Sequence, residues 1–538
     1  MSITKALKTY PSSKVHASVL KEIKQMIDYQ VWDFLTTLEL DEAYARGTVK
    51  NIIPSSLFLK MKSDLETLKA RLIVHGDKQI LLDLFGSNSS PTISITVLNL
   101  VISLASKMGL DFESLDIAGA YLNAPLPEPE FMRINKDLAD IIVEINPDYQ
   151  RFQSPKGHMT VRLKKALYGL KTSGKLWYAE LHQALIDIGY KRSAIDKCLY
   201  FRHDGSQITY ALVYVDDILL VGNDPAFKTS TVEHLTRKFV TISRQPPNDV
   251  AFLGMHIKKL PSGDISIDQE SYVADLLEEY NITAFSDKPC SANIVNEHDT
   301  TTNQLADPTL YRSLNMQLLY LATRTRPDIM FPTTILATRS KSPSITDYDR
   351  LLKILAYLHS TKTEKLTFNK NGPLKPRAFV DASFNLHWDA KGHTGFAIFP
   401  DSSSAPVLVK SIKHKTIADS STEAELIALH ESLKYISWIA DLYLELGHDV
   451  RPFEILQDNL SAIALSSEES INFRGRSKFI NRKYFAAYEM VTSGTAKLVH
   501  IGTEEMIADV LTKAIVGSKF HKFRIVLLGT KSISDYAL

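Results

Sequence analysis

Apolar positions along this chain change period several times, and the changes mark out its elements. Up to residue 50 they recur at helical spacing, as at Val19, Ile23, Met26 and Ile27, and predict helices. Leu57–Ser63 and Lys69–Gly76 alternate instead and predict two short strands, with residues 64–67 as their turn. Helical spacing returns over Thr92–Met108. Phe112–Leu122 predicts a strand that breaks at Gly119, and Lys175–Ile188 a helix with Trp177, Leu181 and Leu185 on one face. Strands over Leu199–Arg202 and Gln207–Val215, a helix over Thr229–Phe239, paired strands at Val250–Ile257 and Asp264–Asp268, and a helix over Ser271–Tyr280 follow. Residues 285–308 carry no period and read as a linker. Helices at Leu310–Ala322 and Ile345–His359 come next.

After residue 370 the pattern changes again. Strands are predicted at Arg377–Ala382, Gly395–Phe399 and Val407–Ile412, then a long helix, Thr422–Leu446, that stops at Gly447. A strand at Phe453–Gln457, helices from about Leu460 and over Arg482–Thr492, a strand at Ala496–Ile501 and a helix at Met506–Ala514 complete the order. This succession predicts a separate α/β domain of roughly 150 residues.

One stretch breaks its own rule. Tyr210–Gly222 has two apolar, β-branched runs flanking Asp216 and Asp217, which predicts a tight hairpin between buried strands. Such hairpins favour Asn-Gly or Asp-Gly, and no glycine stands at this turn. Adjacent carboxylates beside a dry interior repel each other unless a cation compensates. A divalent metal is the natural compensator, and a broken local rule points to function. Asp116, framed by Leu115 and Ile117 inside a strand, is a candidate third carboxylate.

Composition narrows the setting. At 538 residues the chain is long enough for about three or four domains. With 44% hydrophobic and 23% charged residues it reads as a soluble globular protein. A formal net charge of +1 means that a nucleic acid must be held by local basic surfaces. Two cysteines, Cys198 and Cys290, exclude a disulfide framework and a thiolate zinc site. No apolar run approaches a membrane span and the start lacks a signal-peptide core, so an intracellular protein is expected. Lys60, Lys62, Lys69 and Arg71 share the first strand pair and have two readings: edge lysines that guard against aggregation, or cations for a polyphosphate.

Leu115–Leu126 around Asp116 and Tyr121, Leu167–Lys171 with Trp177-Tyr178, Tyr214–Asp217, and Phe252-Leu253-Gly254 together resemble a copia-type LTR retrotransposon reverse transcriptase. Tyr320–Ala322 with Thr325–Ile329, Ser421–Glu425, Asp458–Ala462 and Ala508–Lys513 extend the resemblance into that family's RNase H domain, from roughly residue 15 to 515 and in the same order. The resemblance implies an α/β (α+β) chain with a right-hand polymerase fold (fingers, palm, thumb/connection) followed by an RNase H-like α/β domain. Expected divisions are 1–110 N-terminal helices and fingers, 111–285 palm, 286–370 linker and helical thumb/connection, 371–515 RNase H-like domain and 516–538 C-terminal tail. The implied activities are RNA-directed DNA polymerase and ribonuclease H on RNA–DNA hybrids. Each would use two Mg²⁺ ions about 4 Å apart, with Mn²⁺ as an alternative, because hard carboxylate oxygens suit such ions.

By that resemblance Asp116, Asp216 and Asp217 are catalytic metal ligands of the polymerase, and Asp381, Glu425, Asp458 and Asp509 those of the nuclease. Tyr121 corresponds to the steric gate against a ribose 2′-OH, with an ordinary packed tyrosine as the plain alternative. Lys60, Lys69 and Arg71 would bind the incoming triphosphate, and Phe252, Leu253 and Gly254 the primer end. Glu423 and Glu425 both fit a helix capping box; Glu423 is assigned to the cap and Glu425 to the metal. Arg312, Arg324, Arg326, Arg339, Lys341, Arg350 and Lys353 either line a hybrid path between the two sites or coat solvated helix faces.

Implied partners are an RNA template, a DNA primer, the RNA–DNA hybrid, dNTPs and other Pol and Gag products, with no membrane; the oligomeric state stays open. The expected location is intracellular, in a cytoplasmic virus-like particle and/or the nucleus. The resemblance covers the C-terminal part of a Pol polyprotein, without protease, integrase or capsid segments. Departures from the family pattern fall near Leu57–Lys62, at Asp83–Thr92 and at Arg324–Arg326, and they sustain one alternative: a catalytically inactive relic that only binds nucleic acid. A palm-fold nucleotide cyclase is a weaker rival, because it leaves the second carboxylate set unexplained.

Overall fold

A computed structural model describes residues 1–61, 66–79, 89–239, 241–295, 307–467 and 486–532. Lys62, half of the expected turn at 64–67, the larger part of 83–92, residues 296–306 of the expected linker and 482–485 of the expected helix lie outside the described residues.

The N-terminal part builds a five-stranded sheet in the order Trp32–Leu35, Met159–Lys165, Pro125–Ile134, Ile52–Met61, Leu68–Val74. Trp32–Leu35 corrects the all-helical reading of residues 1–50: it sits between the helices Ser12–Asp28 and Thr37–Ala45. Four residues are too few to interrupt a helical period visibly, and their strand state comes from pairing with Met159–Lys165, more than a hundred residues away. Ile52–Met61 and Leu68–Val74 alternate as their sequences require, with Leu57, Leu59, Leu68, Ala70 and Leu72 buried and Lys60, Lys69 and Arg71 exposed.

A second sheet of six strands carries the Asp-Asp hairpin. Its order is Ile242–Arg244, Asp111–Ile117, Asp217–Gly222, Gln207–Tyr214, Leu199–Asp204, Lys191–Arg192. Against it packs the helix Ile95–Met108, which buries eleven of its fourteen residues and therefore reads apolar almost all round. A four-stranded sheet follows, Asp249–Phe252, Met255–Lys259, Ile265–Asp268 and Leu366–Phe368. The helices Pro308–Ala322, Met330–Ala337 and Ile345–Ser360 lie between its third and fourth strands in sequence.

The C-terminal part is a five-stranded mixed sheet, Leu408–Lys413, His393–Phe399, Arg377–Ser383, Phe453–Gln457 and Ala496–His500, with the helix Ser421–Glu445 packed on it. Its separateness needs correction. A single hydrophobic core joins Val97, Val101 and Leu104 of the helix Ile95–Met108 to Val380, Phe396 and Leu433 of the C-terminal part. Lys107 and Asp401 form a buried ion pair across this contact at 3.1 Å. Glu445 accepts hydrogen bonds from Ser193 Oγ and from the Ala194 backbone N–H at 2.5 and 2.7 Å.

Two further readings change. The expected helix Met506–Ala514 is a single 3₁₀ segment, Ile507–Leu511, preceded by another at Thr503–Glu505. The stretch 516–538, expected as a tail, contains the helix Ser518–Leu527, which buries Phe520, Phe523, Val526 and Leu527. Polar composition also concealed packing in the linker: Cys290 and Ile294 are buried in the second core.

Candidate functional site

The strand Asp217–Gly222 pairs antiparallel with Gln207–Tyr214, and Asp217 stands opposite Tyr214. The two-residue turn is therefore Val215-Asp216, one residue earlier than the sequence pattern places it. Val215 takes φ +57°, a left-handed conformation that a β-branched residue rarely adopts. Two contacts hold it there. Trp177 Nε1 donates to the Val215 carbonyl at 2.6 Å, and the Ile117 N–H donates to the Asp216 carbonyl at 3.0 Å. The Trp177 clamp escaped sequence reasoning: an apolar helix face and a place in the family motif marked Trp177, and neither showed that its indole holds this turn.

The one-residue shift decides the carboxylate geometry. Asp217 now begins a strand and lies directly opposite Asp116 in the ladder. Opposed residues share a face, with Cβ atoms about 5 Å apart. Asp216 projects from the turn beside them. Burial raises the pKa of Asp217 to about 6, with Asp216 and Asp116 adding repulsion. Burial also raises that of Asp216, and Asp116 adds to the rise while Arg71 and Lys69 oppose it.

Those two cations are the expected fingers residues. Lys60 faces Lys69 across the ladder, and Phe58 faces Arg71, so all four share one face. The Arg71 guanidinium lies 4.2 Å from the centre of the Tyr168 ring, and Tyr168 meets Tyr121 edge-on at 5.1 Å. Tyr121 sits in the turn Ala120–Asn123, and its phenol pKa is raised by burial and by Asp216. Tyr121 thus lies between the cationic ribbon and the carboxylates.

Phe252-Leu253-Gly254 forms another tight turn. Phe252 pairs with Met255, and Leu253 and Gly254 have φ +55° and +72°. Tyr320 Oη donates to the Leu253 carbonyl at 3.3 Å, and Gln269 Nε2 donates to that of Gly254 at 3.2 Å. A Cβ on Gly254 would meet Tyr320 Oη at 2.6 Å, so glycine is required for space as well as conformation.

In the C-terminal sheet, Asp381 lies near the end of one strand and Asp458 follows the end of its parallel neighbour. Glu425 lies in the first turns of the helix Ser421–Glu445. Ligand oxygens of the three lie within 4.8 Å of one another. Glu423 points elsewhere: its carboxylate accepts from the Asp419 N–H at 2.8 Å, and its own N–H donates to Ser420 Oγ at 3.1 Å. Burial raises Glu425 well above the usual carboxylate range, and Asp381 adds to the rise. Asp381 rises to about 6, because burial and Asp509 outweigh Lys513.

Asp509 is not one of that trio. Its carboxylate pairs with Lys513 and, at 3.2 Å, with Lys519. Lys513 also reaches Asp381 at 3.4 Å, and Thr512 Oγ1 donates to Asp381. Burial works against the Lys513 charge, but Asp381 and Asp509 outweigh it and raise its pKa. Gln457 Nε2 donates to Glu425 at 3.2 Å. The motif Ala508–Lys513 had pointed to Asp509, while the contributions of Thr512 and Lys513 become visible only in three dimensions.

The expected basic path divides. Arg326 is buried in a bidentate pair with Asp328 at 3.0 and 2.7 Å, and also donates to Thr361. Arg339 is buried against Asp347 at 2.5 Å, where Arg350 joins at 3.0 Å. These arginines hold the helical region together and form neither a nucleic-acid path nor a solvated face. Arg324 instead stacks on Tyr320, 3.9 Å from its centre, beside the Leu253-Gly254 turn.

The fold is that of a right-hand polymerase joined to an RNase H-like domain. The same fold is found in a foamy viral protease–reverse transcriptase solved with dsDNA, with TM-score 0.50, 14% identity, and coverage of 92% of this chain and 84% of that one. Residues 47–294 match the family described as reverse transcriptase (RNA-dependent DNA polymerase). The chain is 32% identical over 472 residues to the retrovirus-related Pol polyprotein from transposon RE1 of Arabidopsis thaliana, covering 86% of this chain and 31% of that relative. It is 30% identical over 327 residues to the putative transposon Ty5-1 protein of Saccharomyces cerevisiae, covering 60% of this chain and 100% of that relative. The chain belongs to the copia-type retrotransposon reverse transcriptases, and it spans about a third of the polyproteins that it matches.

Proposed function

We propose that the chain acts as an RNA-directed DNA polymerase with a hybrid-directed ribonuclease, serving retrotransposon replication. The observation that carries this reading is the pair of carboxylate sets, Asp116/Asp216/Asp217 and Asp381/Glu425/Asp458. Each combines only hard oxygen donors under burial that penalises uncompensated charge, which suits Mg²⁺, or Mn²⁺, as the resident cation, two per site. When bound, such ions lower the pKa of the attacking oxygen and neutralise the leaving group.

The chain's own residues do the rest. Asp116, Asp216 and Asp217 would hold the cations at the primer end. Lys60, Lys69 and Arg71 bind the triphosphate of the incoming dNTP. The Tyr121 ring occupies the space a ribose 2′-OH needs. The Phe252-Leu253-Gly254 turn presents backbone groups to the primer on an RNA template. In the nuclease set, Asp381, Glu425 and Asp458 would hold the cations, and Asp509, paired with Lys513 and Lys519, sits beside Asp381 through their shared Lys513. Among the described residues, no helix is long and apolar enough to cross a membrane. Action on the element's own transcript fits a cytoplasmic particle and/or the nucleus, alongside other Pol and Gag products.

Purified protein given primed RNA, dNTPs and Mg²⁺ is expected to extend the primer, and Asp216→Asn to abolish extension. Failure of the parental protein to extend while it still binds the hybrid would refute the polymerase reading. Hybrid cleavage is expected to vanish in Asp458→Asn; equal cleavage by both proteins would refute the nuclease assignment.

A further inference from the structure

Four strands of the C-terminal sheet point the same way, and three of them matter here. Arg377–Ser383 and Phe453–Gln457 are parallel, and Leu408–Lys413 is related to the first by two antiparallel pairings. Their C-terminal ends share one edge, where Asp381 and Asp458 lie. Two loops leave from that edge, 384–392 and 414–420. They carry large apolar side chains in the open: Trp388 is 81% exposed, Ile417 58% and Phe384 45%. Lys413 Nζ lies 5.7 Å from the centre of the Trp388 ring, and Lys415 is exposed beside them.

An exposed tryptophan on a loose loop would mean little, but this loop is fixed. Trp388-Asp389-Ala390 is a three-residue turn, closed by His387 N–H to Lys391 O at 3.0 Å and Ala390 N–H to His387 O at 2.9 Å. Ala390 takes φ +58°, the left-handed position such turns require at their third residue. Asp389 pairs with Lys413 at 2.9 Å and Lys391 at 3.2 Å.

Beneath the turn, His387 is buried. Ser411 Oγ donates to the Leu511 carbonyl at 2.7 Å, so it accepts from His393 Nε2 at 2.7 Å, and His393 Nδ1 accepts from His387 Nε2 at 3.1 Å. Leu511 immediately precedes Thr512, which bonds Asp381. A continuous buried chain thus fixes Trp388 relative to the carboxylates. Burial lowers both imidazole pKa values, that of His387 to about 4, so the chain stays uncharged at neutral pH.

We propose that Phe384 and Trp388 form a docking platform that grips the sugar–base face of an RNA–DNA hybrid beside the nuclease carboxylates, with Lys413 and Lys415 toward its phosphates. This rests on the nuclease reading above. Aromatic packing against bases or sugars is tolerant of sequence, as a general hybrid nuclease requires. Lys391 and Lys415 of the loops, with Lys413 at the end of its strand, outnumber Asp389 and Asp419 by one, which favours a polyanion. They disfavour a second copy of the same patch, whose lysines would face like charges.

The test uses the full chain with Trp388→Ala and Trp388→Phe. The alanine variant is expected to raise KM for cleavage of a defined hybrid about tenfold, within the range of one lost stacking contact. The loss should fall in KM more than in kcat, and phenylalanine should recover most of it. Because Trp388 is 81% exposed, the unfolding midpoint should not move. The same hybrid, titrated into Asp458→Asn protein, should quench tryptophan fluorescence, and adding Trp388→Phe should remove that quenching. Trp32 and Trp177 are buried, and the half-buried Trp438 is kept in every variant, so the quenching lost with Trp388→Phe reports Trp388 alone. Unchanged KM without Trp388-dependent quenching overturns the proposal. So does a Trp388→Ala protein that changes oligomeric state at unchanged KM, since the patch would then join copies of the chain. Trp388-dependent quenching in a parental protein that cleaves nothing would refute the nuclease reading and leave the platform standing.

Discussion

Replacing Asp217 by Asn removes one of three crowded carboxylates at nearly constant shape. In the cation-free protein this should stabilise the fold. The Asp217 pKa is raised from 3.8 to about 6 by burial and by its neighbours. Two units correspond to a ceiling of about 3 kcal/mol. Asp217 is partly exposed, and its neighbours relax once it is neutral, so a gain of about 1–2 kcal/mol is expected. A raised folded pKa means that stability is fully present below pH 4 and is lost as pH rises through 6. The Asn variant lacks that loss, so its advantage should be absent below pH 4, open between 4 and 6, and stay constant above. With an unfolding entropy of about 2.1 cal/mol/K per residue, the gain moves Tm by about 1–2 °C in a chain of this size. Paired thermal scans in chelator at pH 4, 6 and 8 resolve such a difference. Excess Mg²⁺ should close the gap or reverse it, because the parental carboxylates then have their counter-charge. An Asn variant no more stable than the parent at pH 8 in chelator would refute the claim that these carboxylates repel each other in a dry site.

Arg326→Met should cost about 3–5 kcal/mol, read from the urea midpoint, because it leaves the buried Asp328 without its guanidinium, and adding Asp328→Leu should restore most of the loss. Arg326 lowers the Asp328 pKa, so the parental advantage should persist at neutral pH and fade as acid titrates that carboxylate. Gly254→Ala should cost about 1–2 kcal/mol for the left-handed backbone alone and weaken primer extension further by displacing Tyr320; Tyr320→Phe should relieve the clash and not the backbone cost. Tyr121→Val should raise ribonucleotide incorporation relative to deoxyribonucleotide by about tenfold to a hundredfold in kcat/KM, and an unchanged ratio would mean that Tyr121 is an ordinary packed ring.

Sequence alone determined most of the elements. Alternation wrote Lys60, Lys69 and Arg71 onto an exposed face, and helical spacing wrote the buried helix Ile95–Met108. The anomaly of two aspartates at a glycine-free turn also marked a site without any structure. Local patterns could do this because burial imposes a period on each strand or helix separately. They could not place the turn at Val215-Asp216, since register follows from pairing with a strand a hundred residues earlier and from a clamp on Trp177. Nor could they separate Arg326, locked on Asp328, from Arg324, stacked on Tyr320: side chains two residues apart meet different neighbours only after the helices pack. Asp381 lies on a strand, Asp458 just past the end of another and Glu425 on a helix, and only the tertiary fold brings their oxygens within reach of one cation. The same fold brings Lys519, from the helix Ser518–Leu527, onto Asp509 beside its i,i+4 neighbour Lys513, a pairing that the local spacing does not foretell.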